Sequence, residues 1–561
     1  MDTFITNRSH LVFIYPRETD PPLEITSFKC RMARYGLLSI ASHLQSLSYK
    51  VTVFDELVGG KIDWDIVNSA DYVCISFLSF CARKAYKISA KIKKNNRAII
   101  IMGGPHASVL PEDALEHCDY VVRNEGEDTL VELLNFLENK NKKKNKIENE
   151  TETETETETE IGKEPICLQG ISYRDKCGRI VHCPDRPFNT NLDYDFDISV
   201  IPEYKSLGLL WNIKDTLVNG MPRIPMPVIQ ASRGCPSQCT FCTVKHQLGL
   251  AYRKKDIAKI LNEINSYTKV IKNPYVLFAD NDLSVDIEFS TELFTAIYAR
   301  YGRYLRPYLF SRITIANHEK LLNILSKFEH TTIGIGFESL DDLTLNNICK
   351  GQTVASIRNA LKQLKQKKLH IHGLFLFGTE SDWPESVDQA INFSLEWKLF
   401  NVGLCSLYDF PTRYKVLKQQ QLIVDEHFIH HDWRFYNGNF VVHFPKNIRP
   451  SVLQRNILNG YEKFNVNSHH GMGSFMPTRP TILKYIKFLE GIEKDYYDSQ
   501  GLRIDESTLL NNAAGRSELP IFVSQSSLYM ESFKFLSANL FRRISWQLLL
   551  KMFFNKSCSR E

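Results

Sequence analysis

The sequence predicts an α/β protein made of a doubly wound (flavodoxin-like or Rossmann-like) domain, a partial (β/α)6 barrel and a mostly helical C-terminal extension. Two observations lead there. Short apolar runs alternate with amphipathic stretches from Leu11 to Leu137, and the alternation resumes from Pro227 to Leu407. Between them lies an Asn/Lys-rich tract followed by a Thr-Glu repeat, too polar to bury a core. The expected division is a doubly wound domain over 1–139, a flexible linker over 140–165 and a connector with a hairpin over 166–226. A barrel over 227–425 and the extension over 426–561 complete it.

In chain order, Leu11–Tyr15 reads as a buried strand and Tyr35–Leu47 as a helix with Leu37, Leu38, Ala41 and Leu44 near one face. Strands at 51–55, 72–77, 98–102 and 120–123 follow, with helices at 83–93 and 128–137. Gly170–Arg174 and Gly178–Val181 form a hairpin turning at Lys176-Cys-Gly. In the second series, strands at 227–231, 275–278, 308–313, 332–337, 371–377 and 402–407 alternate with helices at 255–268, 291–299, 319–328, 355–367 and 385–397. Six strands are too few for a closed eight-fold barrel. Their carboxyl ends carry Asp280, Asp282, Arg312, Gly336, Glu338 and Ser339, where such barrels place their chemistry.

Cys235, Cys239 and Cys242 stand in a C-x3-C-x2-C spacing just after the first barrel strand. Thiolates this close hold iron or zinc. A structural zinc site would want a second C-x2-C knuckle, which is not present. Three ligands leave one iron of a 4Fe–4S cubane open. With Phe241 before the last cysteine, the motif resembles that of radical S-adenosylmethionine (radical SAM) enzymes. The resemblance implies that the methionyl amine and carboxylate of S-adenosylmethionine chelate the open iron. One electron then cleaves the sulfonium to a 5′-deoxyadenosyl radical, with an electron donor such as flavodoxin or ferredoxin. Gly336-Phe-Glu338-Ser339 and Lys350 resemble that family's cofactor-side elements. Glu338 is suited to ribose hydroxyls or the methionyl ammonium, or else to a helix N-terminus. Arg312 suits a carboxylate clamp or a surface ion pair. The family's usual Pro-Gly after the fifth strand is Thr379-Glu380 here.

In the first domain, Gly103-Gly104-Pro105-His106 and Asn124-Glu125-Gly126-Glu127 fall at strand ends, as tight turns or as a ligand rim. Together they resemble the cobalamin-binding domain found ahead of many radical SAM cores. Ser76-Phe-Leu78 and Gly103-Gly104 match two of its marks, and Gly36 lies at the distance of a third. Arg31 and Ala33, however, stand where that third mark has aspartate and histidine. The resemblance therefore implies cobalamin bound without a histidine from this motif, and His106 reads as a turn or packing residue.

Net charge is only +5, with no electrostatic reason to expect nucleic acid. No signal peptide and no apolar run of membrane-spanning length is read, and the scattered cysteines suit a reducing cytoplasm. Asp432–Gly438 and Val441–Pro445 resemble extensions behind cobalamin-dependent cores, while the expected Leu-Pro-Gly-Thr reads Tyr408-Asp-Phe-Pro-Thr412. The apolar, basic stretch Met530–Phe554 docks on the protein or lies on a membrane surface. The resemblance implies methylation of an unactivated carbon of a small-molecule or lipid-like substrate. Cyclisation or rearrangement without methyl transfer, and a cofactor-binding sensor, are the alternatives.

Overall fold

The computed structural model describes residues 8–18, 30–95, 97–149, 168–201, 224–272, 274–407, 433–468 and 479–499. The first unit runs β1 (His10–Tyr15), β2 (Cys30–Arg31), α1 (Tyr35–Ser46), β3 (Lys50–Asp55), α2 (Trp64–Asn68), β4 (Tyr72–Ser76) and α3 (Ala82–Asn95). It continues with β5 (Ile99–Gly103), α4 (Gly104–Val109), α5 (Pro111–Ala114), β6 (Tyr120–Val122), α6 (Glu127–Asn149), β7 (Ile171–Arg174) and β8 (Ile180–His182). Seven strands pair in the order β3-β1-β4-β5-β6-β7-β8. Pairing is parallel as far as β6 and antiparallel beyond it. Every residue of β1 is buried, which is why this strand reads as an unbroken apolar run. Strand order reverses between β1 and β4, so the crevice beyond their carboxyl ends is the place for a ligand.

Two features differ from the sequence reading. The hairpin placed in a connector extends this sheet, because β7 covers the edge that β6 would otherwise leave open. Arg123 ties it down, donating to the Ile171 carbonyl at 3.0 Å and pairing with Asp185 at 2.9 Å. Helix α6 runs on to Asn149, into the tract read as linker. Buried Leu130, Leu133, Leu134 and Leu137 anchor it, and Lys, Asn and Glu without Gly or Pro let it propagate. The Thr-Glu repeat lies outside the described residues, as do Tyr408–Thr412 and Met530–Phe554.

The second unit opens with β9 (Ile224–Pro225), β10 (Val228–Ile229), β11 (Ser232–Arg233), α7 (Val244–Gln247), β12 (Arg253–Lys254) and α8 (Ile257–Thr268). Then come β13 (Tyr275–Phe278), α9 (Ile287–Tyr301), β14 (Arg306–Ser311), α10 (Glu319–Leu325), β15 (Thr332–Glu338) and α11 (Asp342–Asn347). The last barrel elements are α12 (Val354–Gln366), β16 (His370–Phe377), α13 (Ser386–Glu396) and β17 (Asn401–Ser406). Strands β10-β13-β14-β15-β16-β17 form one six-stranded sheet, parallel throughout, the partial barrel read from the sequence. Helix starts are set by caps: Asp256, Asp286 and Asp341 each accept backbone N–H groups, and Thr353 with Ser356 closes a capping box. The Asp286 cap starts α9 at Ile287, four residues before the 291–299 helix read from the sequence.

The extension adds α14 (Pro450–Asn467) and α15 (Arg479–Ser499). Tyr461 of α14 accepts the Leu404 N–H at 2.7 Å, anchoring this pair against the last barrel strand. Among the described residues no helix is long and apolar enough to cross a membrane.

Candidate active site

The cysteine loop is pinned at both ends. At its base, Ser232 and Arg233 of β11 pair antiparallel with Lys254 and Arg253 of β12. Gly234 follows at φ +87°, where a Cβ would collide with the Ala251 carbonyl. At its tip, Thr240 N–H donates to the Ile348 carbonyl at 3.1 Å, and Arg312 donates to Ser237 Oγ at 2.5 Å and to the Lys350 carbonyl. Arg312 thus spans from the cysteine loop to the loop after α11, rather than making an exposed ion pair.

Cys239 is buried, and Cys235 and Cys242 are half-buried. Burial pushes the Cys239 thiol up, with the Lys350 and Arg312 cations opposing it; burial likewise raises Cys242. Among the described residues no three His, Cys, Asp or Glu side chains are arranged to hold a single metal ion. A cubane does not ask for that arrangement, since each thiolate binds its own iron. Three thiols on one short loop beside two cations fit a cluster of that kind.

Glu338 ends β15 at φ +64°, beside a register shift between Gly336 and Glu338. Its Oε1 accepts Lys350 Nζ at 2.8 Å, and the ammonium lies 5.8 Å from the Phe241 ring centre. A Cβ on Gly336 would meet Lys350 Nζ at 2.7 Å and the Glu338 carboxylate closer still. Ser339 Oγ accepts the Asp341 N–H at 3.1 Å, and Asp341 caps α11, so the helix-start role open to Glu338 belongs to Asp341.

Asp280, at the end of β13, is fully buried and accepts Ser232 Oγ at 2.5 Å and Ala231 N–H at 3.2 Å. Burial pushes its carboxyl up to about 6. Between pH 4 and 6 the folded chain therefore holds a proton that the unfolded chain has lost, and stability from this group falls as pH rises through that window. Asp280→Asn is expected to match the wild type near pH 4 and to gain up to about 3 kcal/mol on it by pH 7, read as the barrel transition in urea. A constant difference across that range would refute the assignment. The variant-minus-wild-type comparison is needed because Asp382, also near 6, adds to the slope while buried His372, lowered to about 4, opposes it.

In the first unit, register places Ser76 opposite Gly103. Gly104 has φ +86°, and a Cβ there would lie 2.7 Å from Ser76 Oγ. Ser76, Gly103, Gly104, Asn124 and Gly126 line a small cavity of about 50 Å³, backed by Leu37 and Ile40. Gly36 is exposed at the start of α1, with nothing within 4 Å of a Cβ. His106 is buried, with Nδ1 2.6 Å from Ser79 Oγ and Nε2 3.0 Å from Asp113 Oδ2 and from the Tyr86 hydroxyl. That is a packing role. The carboxylates of Glu125 and Glu127 turn away from the groove and pair with Arg253 and Arg233 of the barrel.

A larger cavity of about 410 Å³ joins the two units. Leu78, Ser79, Phe80 and Pro105 form the wall from the first unit, and Phe241, Cys242, Thr243 and Gln247 that from the cysteine loop. Glu338, Leu374, Leu376 and Cys405 form the barrel floor, with Tyr436 and Asn437 of the extension at the rim. Neither cavity has a histidine in its lining. Tyr436 and Asn437 lie in the Asp432–Gly438 stretch that resembles extensions behind cobalamin-dependent cores, whereas no motif marks Cys405. Only the alternation Asn401, Gly403, Cys405 on β17 hints that this thiol faces inward.

A radical SAM barrel behind a B12-binding domain is the class that this fold and site define. Residues 229–391 match the Radical SAM superfamily and 25–134 the B12 binding domain. An uncharacterized methyltransferase of Pyrococcus horikoshii is 27% identical over 64% of this chain and 72% of its own length. The anaerobic magnesium-protoporphyrin IX monomethyl ester cyclase of Rubrivivax gelatinosus is 22% identical over 82% and 79%. The bacteriochlorophyllide d C-12(1)-methyltransferase of Chlorobaculum tepidum is 23% identical over 75% and 80%. Among solved structures, the radical S-adenosylmethionine methyltransferase TsrM of Kitasatospora setae superposes with a TM-score of 0.55 at 16% identity, over 73% of this chain and 78% of that one. The chain thus carries a radical SAM domain over residues 229–391 and a B12 binding domain over residues 25–134.

Proposed function

We propose that this protein is a cobalamin-dependent radical SAM enzyme that methylates an unactivated carbon of a small, largely apolar substrate. The observation that carries the reading is the shared cavity: the loop after β4, the cysteine loop and the carboxyl ends of the barrel strands open on one space. When bound, the cluster supplies the electron that cleaves S-adenosylmethionine and cobalamin supplies the methyl group. Cys235, Cys239 and Cys242 would hold the cluster. Arg312 fixes their loop through Ser237, and Glu338 and Lys350 would present a polar pair to the adenosylmethionine. Gly103 and Gly104 would let a nucleotide tail approach the backbone beside Ser76, although the 50 Å³ cavity there must widen to take it. Apolar walls at Leu78, Phe80, Leu374 and Leu376 exclude water from a reactive radical and favour an apolar substrate. Holding both cofactor sites on one chain makes the encounter effectively unimolecular. A flavodoxin or ferredoxin in a reducing compartment would serve as donor.

Ring closure or rearrangement without methyl transfer is the second reading, supported by the likeness to the Rubrivivax cyclase. The test is anaerobic reconstitution with iron, sulfide and cobalamin, followed by turnover with adenosylmethionine, a reductant and a small-molecule extract. About four irons per chain are expected, with 5′-deoxyadenosine and S-adenosylhomocysteine released together. 5′-Deoxyadenosine without S-adenosylhomocysteine would favour the second reading, and neither product would reject both.

A further inference from the structure

Four buried charges join the turn after β6 to the base of the cysteine loop. Arg233 and Arg253 face each other in the β11–β12 ladder that closes the loop. Arg233 Nη2 donates to Glu127 Oε1 at 2.6 Å, and Arg253 Nη1 donates to Glu125 Oε2 at 2.9 Å. Glu125 Oε1 also lies 2.8 Å from Arg253 Nη2 and 3.4 Å from Arg233 Nη1, and no side chain of the four is more than 8% exposed. Burial alone would raise the Glu127 carboxyl; the Arg233 guanidinium beside it holds it below the usual range.

The other groups in contact are equally specific. Ser39 Oγ donates to Glu127 at 3.1 Å, Asn189 N–H donates to Glu125 at 2.9 Å, and Arg253 donates to the Leu248 carbonyl inside the loop at 2.7 Å. Between the two glutamates stands Gly126, which with Asn124 lines the Ser76–Gly103 cavity. One five-residue turn therefore presents its small residues to the groove of the first unit and its carboxylates to the loop of the second. Buried ion pairs add little net stability, because desolvation offsets their attraction. What arginine forks on carboxylates do provide is direction.

We propose that Glu125, Glu127, Arg233 and Arg253 are positioning residues that set the cluster loop against the cobalamin-binding domain at one fixed separation. This rests on the functional reading above for the identity of the two cofactors. The test uses full-length Arg233→Lys and Glu127→Gln. Amide exchange over residues 232–254 is read in the protein as isolated. The dipolar coupling between the reduced cluster and cob(II)alamin is read in the loaded protein. Both variants are expected to take up iron and cobalamin, with exchange in that segment about tenfold faster and the distance distribution broadened. Wild-type exchange together with a wild-type distance distribution, in variants that load normally, overturns the proposal. Should Arg233→Lys fail to fold, Glu125→Gln is read by the same criteria, since its amide oxygen still accepts from Arg253 and Asn189. Wild-type protein that takes up neither cofactor defeats the functional reading instead, and exchange alone then decides the clamp.

Discussion

Cys239→Ala, reconstituted anaerobically, is expected to keep its cobalamin and lose its iron, with 5′-deoxyadenosine formation falling at least about 10³-fold, or about 4 kcal/mol of transition-state stabilisation. Cys239 is buried whereas Cys235 and Cys242 are half-buried, so water has the least access to its place. The nearby Lys350 and Arg312 cations favour its ionised form and gain nothing from alanine. The loop should keep its shape in the variant. Its attachments run through Thr240 to Ile348, Arg312 to Ser237 and the β11–β12 ladder, none of which uses the Cys239 side chain. Loss of iron with an unchanged circular dichroism spectrum would therefore isolate the ligand role. Retained iron with adenosylmethionine cleavage at the wild-type rate would remove Cys239 from the cluster, and the enzymatic reading with it.

How legible this was depends on the range of the interaction involved. Strand β1 and the barrel strands could be read because each is covered by helices, and burial imposes a local apolar pattern. Helix α2 has no such pattern, being five residues long with one buried side chain, Val67, and marked mainly by the Asp63 cap. The cysteine motif was visible because cluster ligation confines its ligands to one loop. Glu125 and Glu127 read as a ligand rim because they stand at a strand end, in a stretch that resembles the cobalamin-binding domain. Their partners lie 128 and 106 residues further along the chain, a pairing no local spacing encodes. Cys405 carries no local signal for the same reason, and Asn437 only the resemblance of its stretch: both become site residues when β17 and the extension close around the cavity. Arg123-Asn-Glu-Gly-Glu127 thus resembles a ligand motif in sequence and serves in the structure as a joint, with Arg123 holding the hairpin and the two glutamates the loop.

Gly336→Ala is expected to weaken adenosylmethionine binding about 100-fold, about 2.7 kcal/mol, while leaving iron content unchanged. The added methyl would enter the space occupied by the Glu338 carboxylate and approach Lys350 Nζ at 2.7 Å. Contacts that short do not persist, so the pair must part or swing outward. Glu338 has little freedom to do so by backbone adjustment, since it already sits at φ +64° beside a register shift. Movement of Lys350 would also withdraw its charge from the Phe241 ring, yet the cysteines keep their own anchors. Gly334→Ala supplies the control for strain alone. Its methyl would press on the Phe310 ring at 2.6 Å, one layer deeper in the barrel and away from Glu338. Both variants should lose about 1–3 kcal/mol of stability through overpacking. Only Gly336→Ala should lose cofactor affinity, measured from the change that adenosylmethionine produces in the spectrum of the reduced cluster. Equal losses of affinity in the two variants would assign the effect to general strain, and an unaltered affinity in Gly336→Ala would take Glu338 and Lys350 out of the binding site.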